Sequence, residues 1–304
     1  MKKIIFAAVA IAAMVGCSKT ESVEIDDWSG ELRITSGIET RASGTTWAKD
    51  DKIGVFMSNT GGTTAVGLHN SKYTTSSEIS TADFTADTDV TPLYYPQSGD
   101  VDIVAHYPYN SSATVDSYPI CVADQSKLEE IDFMSTKVVE AVKSSSSLSL
   151  TFYHLLSQVK VVLEAGDGLT DTELESATVE ISGTKVEATA ELDYDTTASK
   201  PTANYNIDSE TVAQKISTTA ADGTATFIVV PQMATVTFTI SVDQVGDLVT
   251  PSQLLTFVSG NEHTYEIKVS RTAAIIKGAT IEGWGGSETS DGSFVAKFEE
   301  SSAD

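Results

Sequence analysis

Four histidines (His69, His106, His154, His263), two cysteines (Cys17, Cys121) and two close carboxylate pairs (Asp87/Asp89, Asp193/Asp195) are the groups from which this chain could build a reactive centre. None of the histidines stands in an HExxH, a CxxC…H or a nucleophile-elbow setting, so neither a zinc site nor an activated serine is indicated. His154 in FYHLL and His106 in IVAHYPYN lie in strand-like apolar runs, where packing or a local hydrogen bond is the expected role. The aspartate pairs are spaced i, i+2, on one face of a strand or on two arms of a turn. Calcium needs about six oxygens and usually a glycine-shaped loop; ELDYDTT lacks one, so solvated turn acids are expected. Glycoside hydrolysis needs two carboxylates facing across a cleft, and no motif supports it. Cys121, in SYPICVAD, has no histidine close in sequence and reads as a small apolar strand residue, not a nucleophile. The chain is expected to be no enzyme, with no metal and no cofactor.

Cys17 is a different case. Lys2 and Lys3 precede an apolar run from Ile4 to Gly16, too short to span a bilayer and built like a cleaved secretory signal. The run ends in Met14-Val15-Gly16-Cys17, close to a bacterial lipobox with Met14 where leucine is more usual. Cys17 would then carry covalent lipid and become the mature N-terminus. Each acyl methylene buried in the bilayer contributes about 0.8 kcal/mol, so two or three chains anchor firmly. Cys121 is left without an intrachain partner, and stability must come from a packed core.

The charge excludes further classes. There are 43 acidic and 19 basic residues, a formal net charge of −24. Nucleic-acid binding by counterion release requires clustered Lys and Arg, and a grip on anionic lipid would need the same. Solubility at an exposed surface is the fitting role for such a charge.

The elements that would position these groups are strands. Short runs rich in Val, Thr, Ile and aromatics alternate with Gly, Asp and Pro, and no long amphipathic helix is visible. ELRITSGIE puts Leu32, Ile34 and Ile38 on one face, with Ser36 as a small residue in the same register. KIGVFMS follows the acidic turn Asp50-Asp51, and TPLYYPQSGDVDIVAHYPYN reads as an aromatic hairpin turning at Gln97 to Asp100. LSLTFYHLLSQVKVVLEA is a long strand or strand pair. The expected organisation is a signal over 1–17, an acidic tether over 18–30, antiparallel β-sandwiches over 31–146 and 147–286, and a Gly/Ser leash over 287–304. On that leash Phe294, Ala296 and Phe298 alternate. They form either a last edge strand of their own domain or a strand for another molecule's sheet.

Taken in order, TRASGTTWAKDDKIGVFM, TPLYYPQSGDVDIVAHYPYN, IDFMST, LTFYHLLSQVKVVL, ATFIVVPQ and IEGW resemble the fimbrillin family, lipoprotein-derived subunits of type V pili. The resemblance implies two tandem transthyretin-like β-sandwiches. It also implies export to the outer membrane and cell surface as a lipoprotein. An Arg-specific protease would then cut near the first strand, and a C-terminal strand of the next subunit would enter the vacated groove. On this chain Arg41 matches the arginine of the TRA stretch and is the expected cleavage site, with Arg33 as the rival. The removable strand would carry Leu32, Ile34 and Ile38, and the donor would carry Phe294, Ala296 and Phe298. Expected partners are other pilus subunits, the protease, the outer membrane through lipid, and an unidentified host or bacterial receptor. The other open role is a non-polymerising surface lipoprotein adhesin that binds glycan or host protein, since PLYYP and AHYPYN offer aromatics for stacking.

Overall fold

The computed structural model describes residues 28–38, 46–60, 69–193, 200–208, 212–284 and 296–297. The fold is almost entirely β. The first part runs β1 (Ile34–Ile38), β2 (Lys52–Asn59), β3 (Ser71–Thr75), β4 (Thr81–Ala86) and β5 (Val101–Tyr107). It continues with β6 (Ser117–Cys121), the short helix α1 (Leu128–Ile131), β7 (Met134–Ala141) and β8 (Leu148–His154). The order β1-β4-β3-β2-β5-β7-β8 closes on itself as a barrel. The sandwich expected here is therefore closed, and β1 closes it. This strand runs antiparallel to β4 on one side and parallel to β8 on the other.

Aromatic packing fills the barrel. Trp47 is fully buried and meets Phe84, Tyr107 and Phe152 edge-on, with ring centroids 5.1, 5.3 and 5.4 Å away. Edge-to-face pairs of this kind add about 0.5–1.5 kcal/mol each beyond the area they bury. The turn before β5 has Gly99 at φ +89°, a left-handed conformation that glycine adopts without steric cost. The expected hairpin is only half formed. Residues 93–95 instead bond to the segment preceding β1, through Leu32 N–H to Leu93 O (2.8 Å) and Tyr95 N–H to Gly30 O (2.9 Å).

The second part contains β9 (Ser157–Ala165), the helix α2 (Asp171–Leu174), β10 (Thr178–Thr184), β11 (Glu187–Asp193), β12 (Thr202–Asn206) and β13 (Gln214–Thr219). After these come β14 (Thr224–Val229), β15 (Met233–Val242), β16 (Gly246–Val249), β17 (Gln253–Thr256), β18 (Asn261–Ser270), β19 (Ala273–Gly283) and β20 (Ala296–Lys297). One sheet has the order β13-β10-β15-β16, with β17 also on β15; the other has the order β14-β9-β18-β19-β20. Alternating buried residues such as Val179, Ile181, Phe238 and Ile240 from the first sheet share one core with Val159, Val161, Phe227 and Ile267 from the second. In β10 the register shifts at Gly183, where φ is +101° and a Cβ would stand 2.2 Å from Thr235 O, so only glycine fits.

Two elements cross the expected boundary at 146/147. That point falls between β7 and β8, both barrel strands, and the chain leaves the barrel for the second core at Leu155 and Leu156. β6 lies within the expected first domain, yet it pairs antiparallel with β11. Its Tyr118 and Ile120 are buried in the second core. Trp28 and Gly30, expected in the tether, are held by the fold: Trp28 Nε1–H donates to Glu31 O at 2.9 Å, and its ring packs edge-on against Tyr95.

Candidate functional site

The closing strand is where sequence and geometry meet. Leu32 and Ile34 are each 1 % exposed, and Ile38 packs partly buried against the same core. Burying one such aliphatic side chain contributes about 1.5–3 kcal/mol. Ser36 in the same register is also buried, its hydroxyl donating to Leu150 O at 3.3 Å and its carbonyl accepting the Trp47 indole N–H at 2.9 Å. Four residues of β1 face β4, from Ile34 opposite Phe84 to Gly37 opposite Thr81. Five face β8, from Ile34 opposite Leu148 to Ile38 opposite Phe152. Without β1, backbone groups of both neighbours would lose their partners, and an apolar trough would open between them.

Arg33 sits at the start of this strand with its side chain exposed, and its Nη1 donates to Ser145 O at 3.0 Å. Its own carbonyl accepts Leu148 N–H at 2.8 Å. A cut after Arg33 would leave the paired length of β1 in place. Arg41 lies outside the described residues, as do Cys17, Phe294 and Phe298. Ala296 is placed on β20, whose two residues pair antiparallel with Gly278 and Ala279 of β19 in the same chain. Trp47, which pins β1 through Ser36, was not singled out from sequence. Its place nine residues after the end of β1, in a chain with three tryptophans, was the available signal.

The other reactive candidates resolve into structural roles. His106 is buried between Ser135 Oγ and Thr114 O, each 3.1 Å from a ring nitrogen, and burial lowers its pKa from 6.5 to about 4. His263 accepts Val258 N–H at 3.0 Å through Nε2, and burial likewise lowers it to about 4. His69 contacts Thr91 O at 3.3 Å. Asp87 and Asp89 share Lys72, whose Nζ lies 2.9 and 3.3 Å from their carboxylates. Asp195 and the side chain of Asp193 are outside the described residues. Cys121, expected as an apolar strand residue, is exposed: it occupies the outward register of β6 while Ile120 takes the buried one. Among the described residues no three His, Cys, Asp or Glu side chains are arranged to hold a metal ion.

Comparison with known proteins bears on the fold and the family. A candidate fimbrium subunit, Fim1C, of Bacteroides uniformis is 31% identical over 312 residues, covering 95% of this chain and 99% of that protein. The crystal structure of a candidate cell adhesion protein from Bacteroides uniformis superposes with a TM-score of 0.66 at 26% identity, covering 84% of this chain and 98% of that one. Another such protein, from Bacteroides ovatus, shares the fold with a TM-score of 0.63 at 19% identity over 84% of this chain and 97% of its own. These relatives are fimbrial and adhesion proteins, not enzymes. The model of the fimbrillin-like family matches residues 40–284, and the chain belongs to that family.

Proposed function

We propose that this protein is a structural subunit of a cell-surface fimbrium, exported as an outer-membrane lipoprotein acylated on Cys17 and assembled by strand exchange after cleavage at Arg41. The observation that carries this reading is the double pairing of β1, which alone closes the barrel between β4 and β8. A cut after Arg41 would release the whole of β1 with Leu32, Ile34 and Ile38. The trough left behind would offer two unpaired strand edges and an apolar floor, which is what an incoming strand needs. A head-to-tail contact of this type does not close on itself and so produces a filament. The C-terminal segment around Phe294, Ala296 and Phe298 is the matching donor, which would pass from β19 of its own chain to the trough of the next.

A second reading rests on β20. Paired in its own chain with β19, the C-terminal segment is also an ordinary edge strand, as a non-polymerising adhesin for glycan or host protein would have. Digestion with an Arg-specific protease separates the two. A pilus subunit is expected to be cut after Arg41, to lose β1 and to form SDS-resistant ladders that disappear on removal of residues 287–304. Monomer alone after complete cutting would overturn the polymer reading.

A further inference from the structure

Between the barrel and the second core lies a cavity of about 350 Å³, within the range of small-molecule sites. His154, at the end of β8, stacks on Trp284 with centroids 4.1 Å apart and an interplanar angle of 14°. Its Nδ1 is 2.7 Å from Asp132 Oδ2, close but off the hydrogen-bonding line. Asp132 Oδ1, His154 Nε2, Gln158 Oε1 and Trp284 Nε1 are all buried without a hydrogen-bond partner in the protein, and all four residues line this cavity. His154, Gln158 and Trp284 are only 4 %, 4 % and 6 % exposed. An unmet buried polar atom costs about 1–3 kcal/mol, so four around one space mark it as built for a polar guest.

The chemistry of the guest follows from donors and charge. In the neutral tautomer that carries its proton on Nδ1, the nitrogen beside the Asp132 carboxylate, His154 Nε2 is an acceptor, as are Asp132 Oδ1 and Gln158 Oε1. Among the four unmet atoms Trp284 Nε1 is the single donor. Asp51 and Glu129 add carboxylates to the lining, which holds no Lys or Arg among the described residues. Burial first, then Asp51, Asp132 and Glu129, push the Tyr107 hydroxyl up, so the three carboxylates act on one common space. Three acceptors suit the three hydrogens of an ammonium, and the indole N–H suits an oxygen nearby on the same molecule. Trp47, Met134 and Ile228 supply apolar wall for its carbons.

We propose that this cavity binds a small amino alcohol, free or as an amino sugar, with its ammonium toward Asp132 and Gln158 and its hydroxyl toward Trp284. The site belongs to the uncut chain: Ile38 of β1 is part of its lining, so release of β1 would open one wall.

Tryptophan fluorescence and calorimetry on the uncut full chain test it, since two of the three tryptophans line the cavity. Saturable binding of glucosamine is expected, with glucose at least about tenfold weaker for want of the charge-assisted bonds. Ethanolamine separates the sources: binding as tight as glucosamine assigns a free amino alcohol, and clearly weaker binding assigns the sugar. Asp132→Asn is expected to weaken binding about tenfold or more. Glu129→Gln, on the exposed face of α1, should weaken it about two- to fivefold without disturbing the fold. No saturable response to either amine, equal binding of glucose and glucosamine, or binding indifferent to both substitutions would each overturn the proposal.

Discussion

β1 and β20 stand near the two ends of the described chain, and both are strands that could leave. β1 is paired along both sides and shares the barrel's aromatic core, with Trp47 bonded to its Ser36 carbonyl. β20 pairs through two residues to one neighbour, at the edge of its sheet. Backbone pairing on one side over the two described residues recovers little of the ordering entropy of about 1–2 kcal/mol per residue. The strand proposed as donor is thus cheaply detached, while the strand proposed for removal is deeply held. A covalent cut is the kind of event that can free the latter, because it turns an intrachain strand into a separate peptide that dilution carries away.

The largest expected effect falls on the barrel's closing contacts. Trp47→Ala should cost about 3–5 kcal/mol, read as a fall in the denaturation midpoint of the barrel by far-UV circular dichroism. A loss below about 1 kcal/mol would mean that β1 is not pinned as its bonding suggests. Ile34→Ala removes buried side-chain volume from β1 itself and should cost about 2–5 kcal/mol. If the cut after Arg41 occurs, the same substitution should speed release of the cut strand, seen as faster loss of the N-terminal peptide on gel filtration.

Acid probes both parts at once, since His106 lies on the barrel strand β5 and His263 on β18. Their folded pKa values are depressed from 6.5 to about 4. Neutral imidazole is therefore the form the fold accepts. The stability each contributes is present above pH 6.5 and is lost as pH falls from 6.5 towards 4, by on the order of 3 kcal/mol per histidine. Melting temperature followed from pH 7 to 4 should fall over that interval, and His106→Gln should flatten the fall for the barrel. A profile flat across the interval in the unsubstituted protein would contradict the buried neutral state.

How much of this was legible in the sequence depended on how local the signal was. The period-two run Leu32, Ile34, Ser36, Ile38 located β1 and its buried face, because alternation fixes which side of a strand is apolar. Alternation does not name the neighbours, so the parallel pairing with β8 and the closure of the barrel were invisible. LTFYHLLSQVKVVL carries no Gly, Pro or Asp at its break, so the passage from barrel to second core at Leu155-Leu156 left no turn signal. SYPIC reads as a strand in isolation, and its partner β11 lies about seventy residues on. The cavity was the least legible feature. Asp132, the pair His154 and Gln158, and Trp284 come from three separate stretches, and each alone looks like a packed or solvated residue.

The smallest effect expected is from deleting residues 287–304. With β20 paired, among the described residues, to Gly278 and Ala279, loss of the segment should change unfolding free energy by less than about 0.5 kcal/mol, the range of ordinary surface changes. Equilibrium denaturation of the uncut, truncated chain checks this directly. A loss of several kcal/mol would show that the segment is integral to the second sandwich, and a strand so embedded could not be lent to a neighbour without unfolding its own sheet. An unchanged stability would leave the two ends as unequal as their bonding: one strand that must be cut out, and one that is free to swing away.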